Sequence, residues 1–333
     1  MTFTDGPVRV RVPATSANLG PGFDALGLAL GLRDQVEARV TASGLTISAS
    51  GEGAADVADA GEGHLVVRAM RAAFDELGVG QPPGLELRCV NRIPHGRGLG
   101  SSAAAITAGI LAARALAGAP AGPDDALPLA NAMEGHPDNV APCLYGGLTV
   151  AWLAGPAAPG SAGPAPGSPV ARAVRLTPVP EVRAVALIAP TPVSTELARG
   201  LLPDKVSHSD AAVNAGRAAL LVAALTARPD TLLDATEDLL HQDYRAPAMP
   251  GTHDLVRRLR QAGVPAVVSG AGPSVLAFLT TSATRQNTGS GGLGDDLHKL
   301  DSTAKETGID WRISPLDIER QGASVTCGVS SAR

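Results

Sequence analysis

A glycine-rich turn that runs into a helix of small residues is the part of this sequence best suited to hold an anion. It reads RIPHGRGLGSSAAAITAGILAA, residues 92–113. Glycines let the main chain approach a ligand closely, and the free N–H groups and positive dipole end of a helix N-terminus favour negative charge. The hydroxyls of Ser101 and Ser102 could ligate Mg²⁺ or bond a phosphate. The segment therefore predicts a phosphate cradle, with a tight turn that binds nothing as the alternative.

Better-known motifs fit this turn poorly. Gly98, Gly100 and Ala103 satisfy the dinucleotide pattern G-x-G-x-x-A, but the region about 20 residues further on is AGAPAGPDD, not a strand that ends in an acidic residue. A P-loop needs a lysine beside its second glycine, and this turn has none. A G-x-S-x-G nucleophile elbow is absent as well.

Two other loops combine small residues with potential polar contacts. SGAGPSV, residues 269–275, is a second glycine turn between two apolar segments, and PATSANLGPGFDALG carries Asn18 and Asp24 just after a predicted strand. Each alone is typical of an ordinary turn, because glycine supplies positive φ and Asn or Asp bonds its own main chain. Three such loops in one chain favour a binding site built from several segments.

Taken together, these loops resemble the motifs of the GHMP kinase superfamily, which includes galactokinase, mevalonate kinase and phosphomevalonate kinase. PHGRGLGSSAAA is similar to its central motif P-x-x-x-G-L-G-S-S-A-A, and SGAGPSV to its C-terminal glycine motif. Within the superfamily, VPATSANLGPGFDALGLAL, EGHPDNVAPCLYGG, STELARGLLP and HQDYRAPAMP resemble the homoserine kinase family. The resemblance covers residues 8–279. It implies a two-domain α+β fold, with an N-terminal domain like domain 2 of ribosomal protein S5 and a ferredoxin-like C-terminal domain.

The resemblance implies transfer of the γ-phosphoryl group of ATP to the side-chain hydroxyl of L-homoserine, in threonine biosynthesis. Mg²⁺ would lie between the Ser101/Ser102 pair and Glu134. Because phosphoryl transfer depends on charge neutralisation and alignment more than on covalent chemistry, the nucleotide cradle should matter most. Its implied members are Pro94, His95, Gly96, Arg97, Gly98, Leu99, Gly100, Ser101, Ser102, Ala103, Gly270 and Gly272.

Asn139 stands where mevalonate kinases and galactokinases carry an aspartate proposed as general base. An amide cannot usefully accept a proton near neutral pH. We therefore expect catalysis by positioning and transition-state stabilisation, with Asn139 bonding the reacting hydroxyl. His136 is a second candidate contact, and Glu134 completes the implied catalytic set. The segment from Glu134 to Asn139 is shorter than in some family members, which leaves the roles of His136 and Asp138 open.

An amino-acid substrate is a zwitterion, so it needs a cation for its carboxylate and an anion or carbonyl for its ammonium group. Arg199 and Arg245 match the family's carboxylate-binding arginines, and a planar guanidinium suits bidentate capture. By the same resemblance, Asp24 takes the ammonium group with help from Asn18, and Thr195 lies close to the pocket. Two alternatives are a related kinase acting on mevalonate, a sugar or shikimate, and a catalytically inactive nucleotide-binding homologue.

Composition narrows the classes of protein further. With 44% hydrophobic and 18% charged residues and a net charge of −5, the chain is typical of a soluble globular protein. It has no basic stripe, and aromatic residues are only 2% of the chain, which argues against nucleic-acid binding. Cys89, Cys143 and Cys327 lack paired spacing and are expected in the core of a protein from a reducing compartment. We expect a cytoplasmic protein without membrane partners, and a homodimer is one assembly to test.

The strands and helices that position these loops are predicted from the spacing of apolar residues and from the prolines and glycines that end regular structure. Alternating valine and arginine predict a strand over residues 8–12 that Pro13 ends. Other strands are predicted over 34–40, 44–49, 85–90, 146–153, 184–188 and on both sides of SGAGPSV. Helices are predicted over 64–77, 101–117 with Ser101 or Ser102 as N-cap, 124–133, 209–227, 230–241, 252–262 and 296–307. The order lacks a sustained βαβα rhythm and favours an α+β protein.

The domain boundary is predicted within a segment rich in proline, glycine and alanine. It reads AGPAAPGSAGPAPGSP, residues 154–169, and its composition predicts a surface loop or linker. We therefore divide the chain into residues 1–165 and 166–333. A second loop without regular structure is predicted over residues 280–296.

Overall fold

The computed structural model describes residues 3–55, 59–156, 169–281 and 293–328. The described strands are β1 (Val8–Ala17), β2 (Leu26–Thr41), β3 (Gly44–Gly51), β4 (Gly84–Asn91), β5 (Leu148–Pro156), β6 (Pro169–Leu176), β7 (Val182–Ile188), β8 (Ala266–Val268), β9 (Val275–Thr280), β10 (Arg312–Leu316) and β11 (Ser324–Cys327). The described helices are α1 (Leu65–Glu76), α2 (Ser101–Leu116), α3 (Pro123–Glu134), α4 (Pro137–Tyr145), α5 (Thr195–Gly200), α6 (His208–Thr226), α7 (Leu232–Ala235), α8 (Gln242–Arg245), α9 (Pro250–Gln261) and α10 (Leu293–Lys305). This mixture confirms the α+β class. Most of the predicted 154–169 linker and 280–296 loop lies outside the described residues.

One sheet of seven strands runs in the order β11-β1-β2-β4-β3, and β5 joins β2 to β6. Its pairs are antiparallel except β3 with β4. Helix α2 contacts β1, β2 and the helices α1, α3 and α4. Small residues suit this central helix, because a Cβ on Gly109 would lie 2.5 Å from the carbonyl oxygen of Val66 in α1. The glycine turn before α2 is therefore attached to a helix that is closely packed against its neighbours.

The other sheet has four strands in the order β10-β7-β9-β8, all antiparallel. Successive residues of β7 face two different cores. Ala184 and Ala186 pack in the larger core with α6, whereas Val185 and Leu187 pack in a second core with α9 and α10. Burial on both faces explains why this strand is continuously apolar from Ala184 to Ile188.

Two predictions about the ends of elements are wrong. Pro13 does not end β1, which continues to Ala17; the register against β2 shifts between Pro13 and Ala14. The proline, which has no N–H, is accommodated at this irregularity. At the start of α2 the N-cap is Gly100 in the left-handed region, without a side-chain cap bond, rather than Ser101 or Ser102. Neither serine hydroxyl is therefore used to cap the helix.

The single helix predicted over residues 230–241 is also wrong, because the chain breaks between α7 and α8. Carboxylate oxygens of Asp238 accept hydrogen bonds from the main-chain N–H groups of Leu240, His241 and Gln242. Such local bonds compete with the helical pattern. Helix α4 was not predicted, although proline is well tolerated at its first position, Pro137.

The division at residue 165 stays a prediction, and two later strands return to the first sheet. β6 pairs with β5, and β11 pairs with β1. Cys89 and Cys143 are buried as predicted, but Cys327 is exposed, because it lies on the edge strand β11. Within the described ranges, no helix has the length and apolar character needed to cross a membrane.

Candidate active site

The three loops and the segment from Glu134 to Asn139 meet at one cavity of about 210 Å³, here called the central cavity. The end of β1, the start of α2, the junction of α3 and α4, and helices α5 and α8 all contribute to its wall. Fourteen of the predicted site residues line it: Asn18, Gly96, Gly98, Gly100, Ser101, Ser102, Glu134, His136, Asn139, Thr195, Arg199, Arg245, Gly270 and Gly272. Residues proposed for nucleotide, metal and amino acid thus share one space.

The phosphate-loop backbone is arranged to donate hydrogen bonds. Gly96, Gly98 and Gly100 all have positive φ, between 64° and 72°. Among the described residues, the main-chain N–H groups from Gly98 to Ala103 have no acceptor within the protein. Six consecutive donors beside the N-terminus of α2 fit an anion of several phosphates.

Gly100 allows a sharp test of this loop. A Cβ at Gly100 would lie 2.0 Å from Thr15 Oγ1, whereas Gly118, at the other end of α2, has φ of 66° and open space around it. We expect Gly118→Ala to cost about 1 kcal/mol of unfolding free energy from strain alone. Gly100→Ala should cost about 2 kcal/mol more because of the clash and should also raise the KM for ATP. Urea denaturation and steady-state kinetics measure both effects, and equal losses in the two variants would contradict a steric role.

The second glycine turn holds the phosphate loop in place. Ser269 Oγ donates to Gly98 O at 2.7 Å and lies 2.9 Å from Ser16 Oγ. Asn18 Nδ2 donates to Gly270 O at 2.9 Å, and Gly270 N donates to Ala17 O at 3.2 Å. The turn therefore joins the loop to the end of β1.

Glu134 and Ser102 form an oxygen pair beside the loop. Ser102 Oγ donates to Glu134 Oε1 at 2.7 Å. Burial raises the pKa of Glu134 above its ordinary value, although the bond from Ser102 and the charge of His136 oppose this. A half-buried carboxylate of this kind favours an added cation. The described residues contain no cluster of three His, Cys, Asp or Glu side chains suited to a metal, but Mg²⁺ is usually held by one or two protein oxygens with phosphates and water.

Asn139 is fixed by a neighbour that the sequence did not single out. Thr15, fully buried on β1, donates from Oγ1 to Asn139 Oδ1 at 2.8 Å. Because the carbonyl oxygen is engaged, the amide nitrogen of Asn139 remains as a donor toward the central cavity.

His136 and Asp138 form a close pair, with Nδ1 and Oδ1 2.7 Å apart. Burial lowers the pKa of His136, but the bond and charge of Asp138 outweigh it, so the pKa of His136 lies above its ordinary value. Asp138 is almost fully buried, at 1% exposure. It therefore orients the imidazole and favours its cationic form.

Asp24 and Arg199 pair with each other at the substrate side. Two bonds, of 3.1 and 2.6 Å, link the guanidinium to both carboxylate oxygens, and they raise the pKa of Arg199. Asn18, Leu19 and Asp24 have positive φ, a conformation that non-glycine residues hold only where the surroundings enforce it. The N-terminal loop thus presents Asp24 at an energetic cost, which is typical of functional sites.

Arg245 is a buried cation with incomplete hydrogen bonding. Its Nη1 donates to Gly270 O at 3.2 Å and to His241 Nδ1 at 3.1 Å, while its Nε has no partner among the described residues. The guanidinium of Arg245 can only donate, so Nδ1 of His241 must accept its bond. Gly20 O, which lies 2.8 Å from Nε2 of His241, can only accept. His241 is therefore a neutral imidazole with its proton on Nε2. Burial and the charge of Arg199 lower the pKa of Arg245 to about 10, so Arg245 stays charged and can receive an anion.

An aromatic ring contacts both guanidinium groups. Phe23 has the guanidinium carbons of Arg199 and Arg245 at 5.6 and 5.4 Å from its ring centre, and the His241 ring at 5.3 Å. The attraction of both guanidinium groups to one aromatic ring offsets part of the repulsion between their like charges. The sequence motifs did not single out Phe23 or His241, although Phe23 precedes Asp24 and His241 lies four residues before Arg245.

The remaining predicted residues lie around the central cavity. Asp24 reaches it through Arg199, and Leu99 and Ala103 bury their side chains, so that only their main chain could serve a ligand. Pro94, His95 and Arg97 line an outer cavity of about 660 Å³ on another side of the loop. The guanidinium of Arg97 bonds main-chain carbonyl groups there instead of facing the central cavity.

An apolar cavity of about 370 Å³ adjoins the central one and shares Ser101 and Ser102 with it. His64, 3% exposed, lines it and accepts the Val66 N–H at Nδ1, which places its proton on Nε2. That Nε2 has no partner in the described part of the chain. The cavity thus combines apolar walls with a buried unpaired donor, and three predicted nucleotide-binding residues, His95, Ser101 and Ser102, line it as well.

Comparison with known proteins agrees with this geometry. The family models "GHMP kinases N terminal domain" and "GHMP kinases C terminal" match residues 64–147 and 213–289. A homoserine kinase of Streptomyces coelicolor is 54% identical over 97% of this chain and 96% of that protein. Another, of Clavibacter michiganensis, is 54% identical over 96% of this chain and 93% of that protein. A crystal structure of homoserine kinase from Cytophaga hutchinsonii has a TM-score of 0.75 and 27% identity, over 98% of this chain and 99% of that one.

The fold and the two matched domains define a GHMP kinase. The relatives extend the resemblance past residue 279 to nearly the whole chain. The chain belongs to the homoserine kinase family of that superfamily.

Proposed function

We propose that this chain transfers the γ-phosphoryl group of ATP to the side-chain hydroxyl of L-homoserine, giving O-phospho-L-homoserine and ADP in threonine biosynthesis. One observation carries the proposal: the phosphate loop, the Ser102–Glu134 oxygen pair and the arginines Arg199 and Arg245 line the same cavity. A related kinase for an uncharged alcohol would have little use for two cations at its acceptor site. Cytoplasmic location and a homodimer stay predictions from the sequence.

The phosphate loop would receive the terminal phosphates of ATP. Its N–H groups from Gly98 to Ala103 are free to donate, and the N-terminus of α2 lies behind them. Ser102 and Glu134 are the residues that would hold Mg²⁺, with Ser101 beside them. When bound, that ion neutralises charge on the phosphates.

The base of the nucleotide would occupy the apolar cavity. It adjoins the phosphate loop through Ser101 and Ser102, which supports a base there when the triphosphate is in the loop. The unpaired Nε2–H of His64 is available to an acceptor nitrogen of the base.

The amino-acid end of homoserine would bind where Asp24 and Arg199 now pair. Its carboxylate suits Arg245, whose Nε is unpaired, and Arg199; its ammonium group suits Asp24. Binding must therefore loosen the bond between Asp24 and Arg199. A substrate that carries both charges restores to each side chain a partner of opposite sign, whereas a neutral alcohol does not.

In the reaction, the homoserine hydroxyl oxygen bonds to the γ-phosphorus as the bond from that phosphorus to its bridging oxygen breaks. Asn139, held by Thr15, would align the hydroxyl. Because residue 139 is an asparagine and not an aspartate, it cannot accept the hydroxyl proton. That proton leaves to a phosphate oxygen or to solvent. Alignment and charge stabilisation then supply the rate enhancement.

The role of Asn139 has a quantitative test. We expect Asn139→Ala to lower kcat by about tenfold or more, since a lost alignment bond worth 1.4 kcal/mol corresponds to tenfold. Thr15→Val should give a smaller loss in the same direction, because it frees the amide to rotate. Single-turnover kinetics isolates the chemical step, and a decrease of less than about threefold for Asn139→Ala would refute the positioning role.

The proposed function is tested by coupled ADP release with homoserine, mevalonate, galactose and shikimate. We expect kcat/KM with homoserine to exceed each of the others at least about 100-fold. Galactose carries no charge, and mevalonate and shikimate carry a carboxylate but no ammonium group, so each leaves at least Asp24 without a partner of opposite charge. Faster turnover of any other alcohol, or ADP release with none of the four, would refute the proposal.

A further inference from the structure

The connection between β7 and α5, residues 189–193, is tied to the phosphate loop by one side chain. Arg97 donates from Nε to Ala189 O at 2.8 Å and from Nη2 to Pro190 O at 2.7 Å. Its Nη1 donates to His95 O, within the loop, at 3.0 Å. One planar guanidinium thus holds carbonyl groups of both segments.

A second contact fixes the same two segments further along. Val193 N donates to Gly96 O at 3.2 Å, and a Cβ on Gly96 would lie 3.0 Å from Pro192 Cβ. The loop and the connection therefore touch at both ends of the connection, so movement of one displaces the other.

The connection leads directly into the helix that faces the amino acid. Ser194 caps α5 by accepting the Leu197 N–H at 3.0 Å, and the helix carries Thr195 and Arg199. Those two residues line the central cavity together with Gly96 and Gly98. Helix α5 has only six residues and one buried side chain, Ala198, so its position depends on what precedes it.

We propose that Arg97 is a positioning residue that couples the two substrate sites, so that nucleotide in the loop tightens binding of homoserine at α5. The inference rests on the proposed function. When the triphosphate binds, the N–H groups of the phosphate loop move toward it. The guanidinium of Arg97, which is bonded to both segments, then moves residues 189–193 with the loop. Helix α5 follows because it is attached to these residues. Thermodynamic linkage makes the effect reciprocal, so that homoserine tightens nucleotide binding by the same factor.

Titration calorimetry on the full chain tests this coupling. It measures Kd for homoserine with and without a non-hydrolysable ATP analogue and Mg²⁺, and Kd for the analogue with and without homoserine. In the unmodified protein we expect each ligand to tighten the other at least about fivefold. In Arg97→Met the factor should fall below about twofold, while each ligand alone keeps its Kd within about threefold. Arg97→Lys should behave like Arg97→Met, because an ammonium group cannot bridge three carbonyl groups in one plane.

Arg92→Met is the matched control, since Arg92 is an exposed arginine at the start of the same loop and makes no side-chain bond within the described chain. It should keep the full coupling factor. A merely structural role of Arg97 would lower the thermal midpoint or weaken both ligands without changing the factor.

Hydrogen exchange of the unmodified protein gives a second readout that needs no variant. The analogue alone should slow exchange at the amides of residues 194–200. Unchanged exchange there, no coupling in the unmodified protein, or full coupling in Arg97→Met would each overturn the inference. Failure of the unmodified protein to bind homoserine at all would instead refute the proposed function, and the inference with it.

Discussion

Replacing Glu134 by glutamine is expected to lower kcat/KM for ATP at least about 100-fold, or about 2.7 kcal/mol of transition-state stabilisation. Glutamine keeps the size and the bond from Ser102 but removes the charge that a cation would meet. Steady-state kinetics over a range of Mg²⁺ concentrations should show that excess metal does not restore the rate fully.

The pH dependence follows from the raised pKa of Glu134. Because its pKa lies above that of an ordinary glutamate, the carboxylate is protonated at a higher pH, and protons compete with the metal there. We expect the Mg²⁺ concentration for half-maximal rate to rise as pH falls toward that pKa, and this dependence to vanish in Glu134→Gln.

Glu196→Gln is the control for Glu134→Gln. Glu196 lies exposed in the first turn of α5 and is not part of the central cavity. It should retain the activity of the unmodified chain within about twofold. A similar loss in both variants, or less than tenfold loss in Glu134→Gln, would remove Glu134 from the metal site.

Loss of Arg199 or Arg245 should raise the KM for homoserine without a comparable change in the KM for ATP. We expect Arg199→Met to raise the KM for homoserine about 100-fold, since truncating one member of a bonded charge pair costs about 2 to 5 kcal/mol. Arg245→Ala should act in the same direction. At saturating homoserine, the KM for ATP should stay within about threefold in both variants, because neither guanidinium has a bond to the phosphate loop residues 94–103 in the described structure.

Arg217→Met provides a matched control. Arg217 is paired with Glu237 and its side chain is 31% exposed, close to the 34% of Arg199. Its loss should leave both KM values unchanged. Since Arg245 is buried among His241, Phe23 and Gly270, its variant also needs a thermal midpoint to show that it is folded. Equal increases in both KM values would refute the assignment of these arginines to the amino acid.

The sequence predicted elements whose stability depends on local pattern. Helix α1 was predicted within one residue at each end, because its apolar face repeats at helical spacing and Gly78 follows it. The strand β7 was recognised from its apolar run. Element ends that depend on one residue were not predicted. Asp238 ends a helix because its carboxylate accepts hydrogen bonds from three main-chain N–H groups. Pro13 lies at a register shift that is visible only in the pairing of β1 with β2.

The same distinction holds for the candidate site. Motifs indicated which segments should meet, and the structure gathers fourteen of those residues in one cavity. Motifs could not show which partner each side chain has before substrate arrives. Arg97 bonds to Ala189 and Asn139 bonds to Thr15, each across more than 90 residues of chain, and such pairings depend on tertiary structure alone.

The pairing of β11 with β1 has a consequence for synthesis on the ribosome. Val8 lies opposite Cys327, so β1 has an open edge until a segment more than 300 residues later has left the exit tunnel. During that interval the nascent chain exposes an apolar strand with unpaired N–H and C=O groups, which is a template for aggregation. The alternating arginines Arg9 and Arg11, exposed on β1, place charge on this edge and act as gatekeepers during translation.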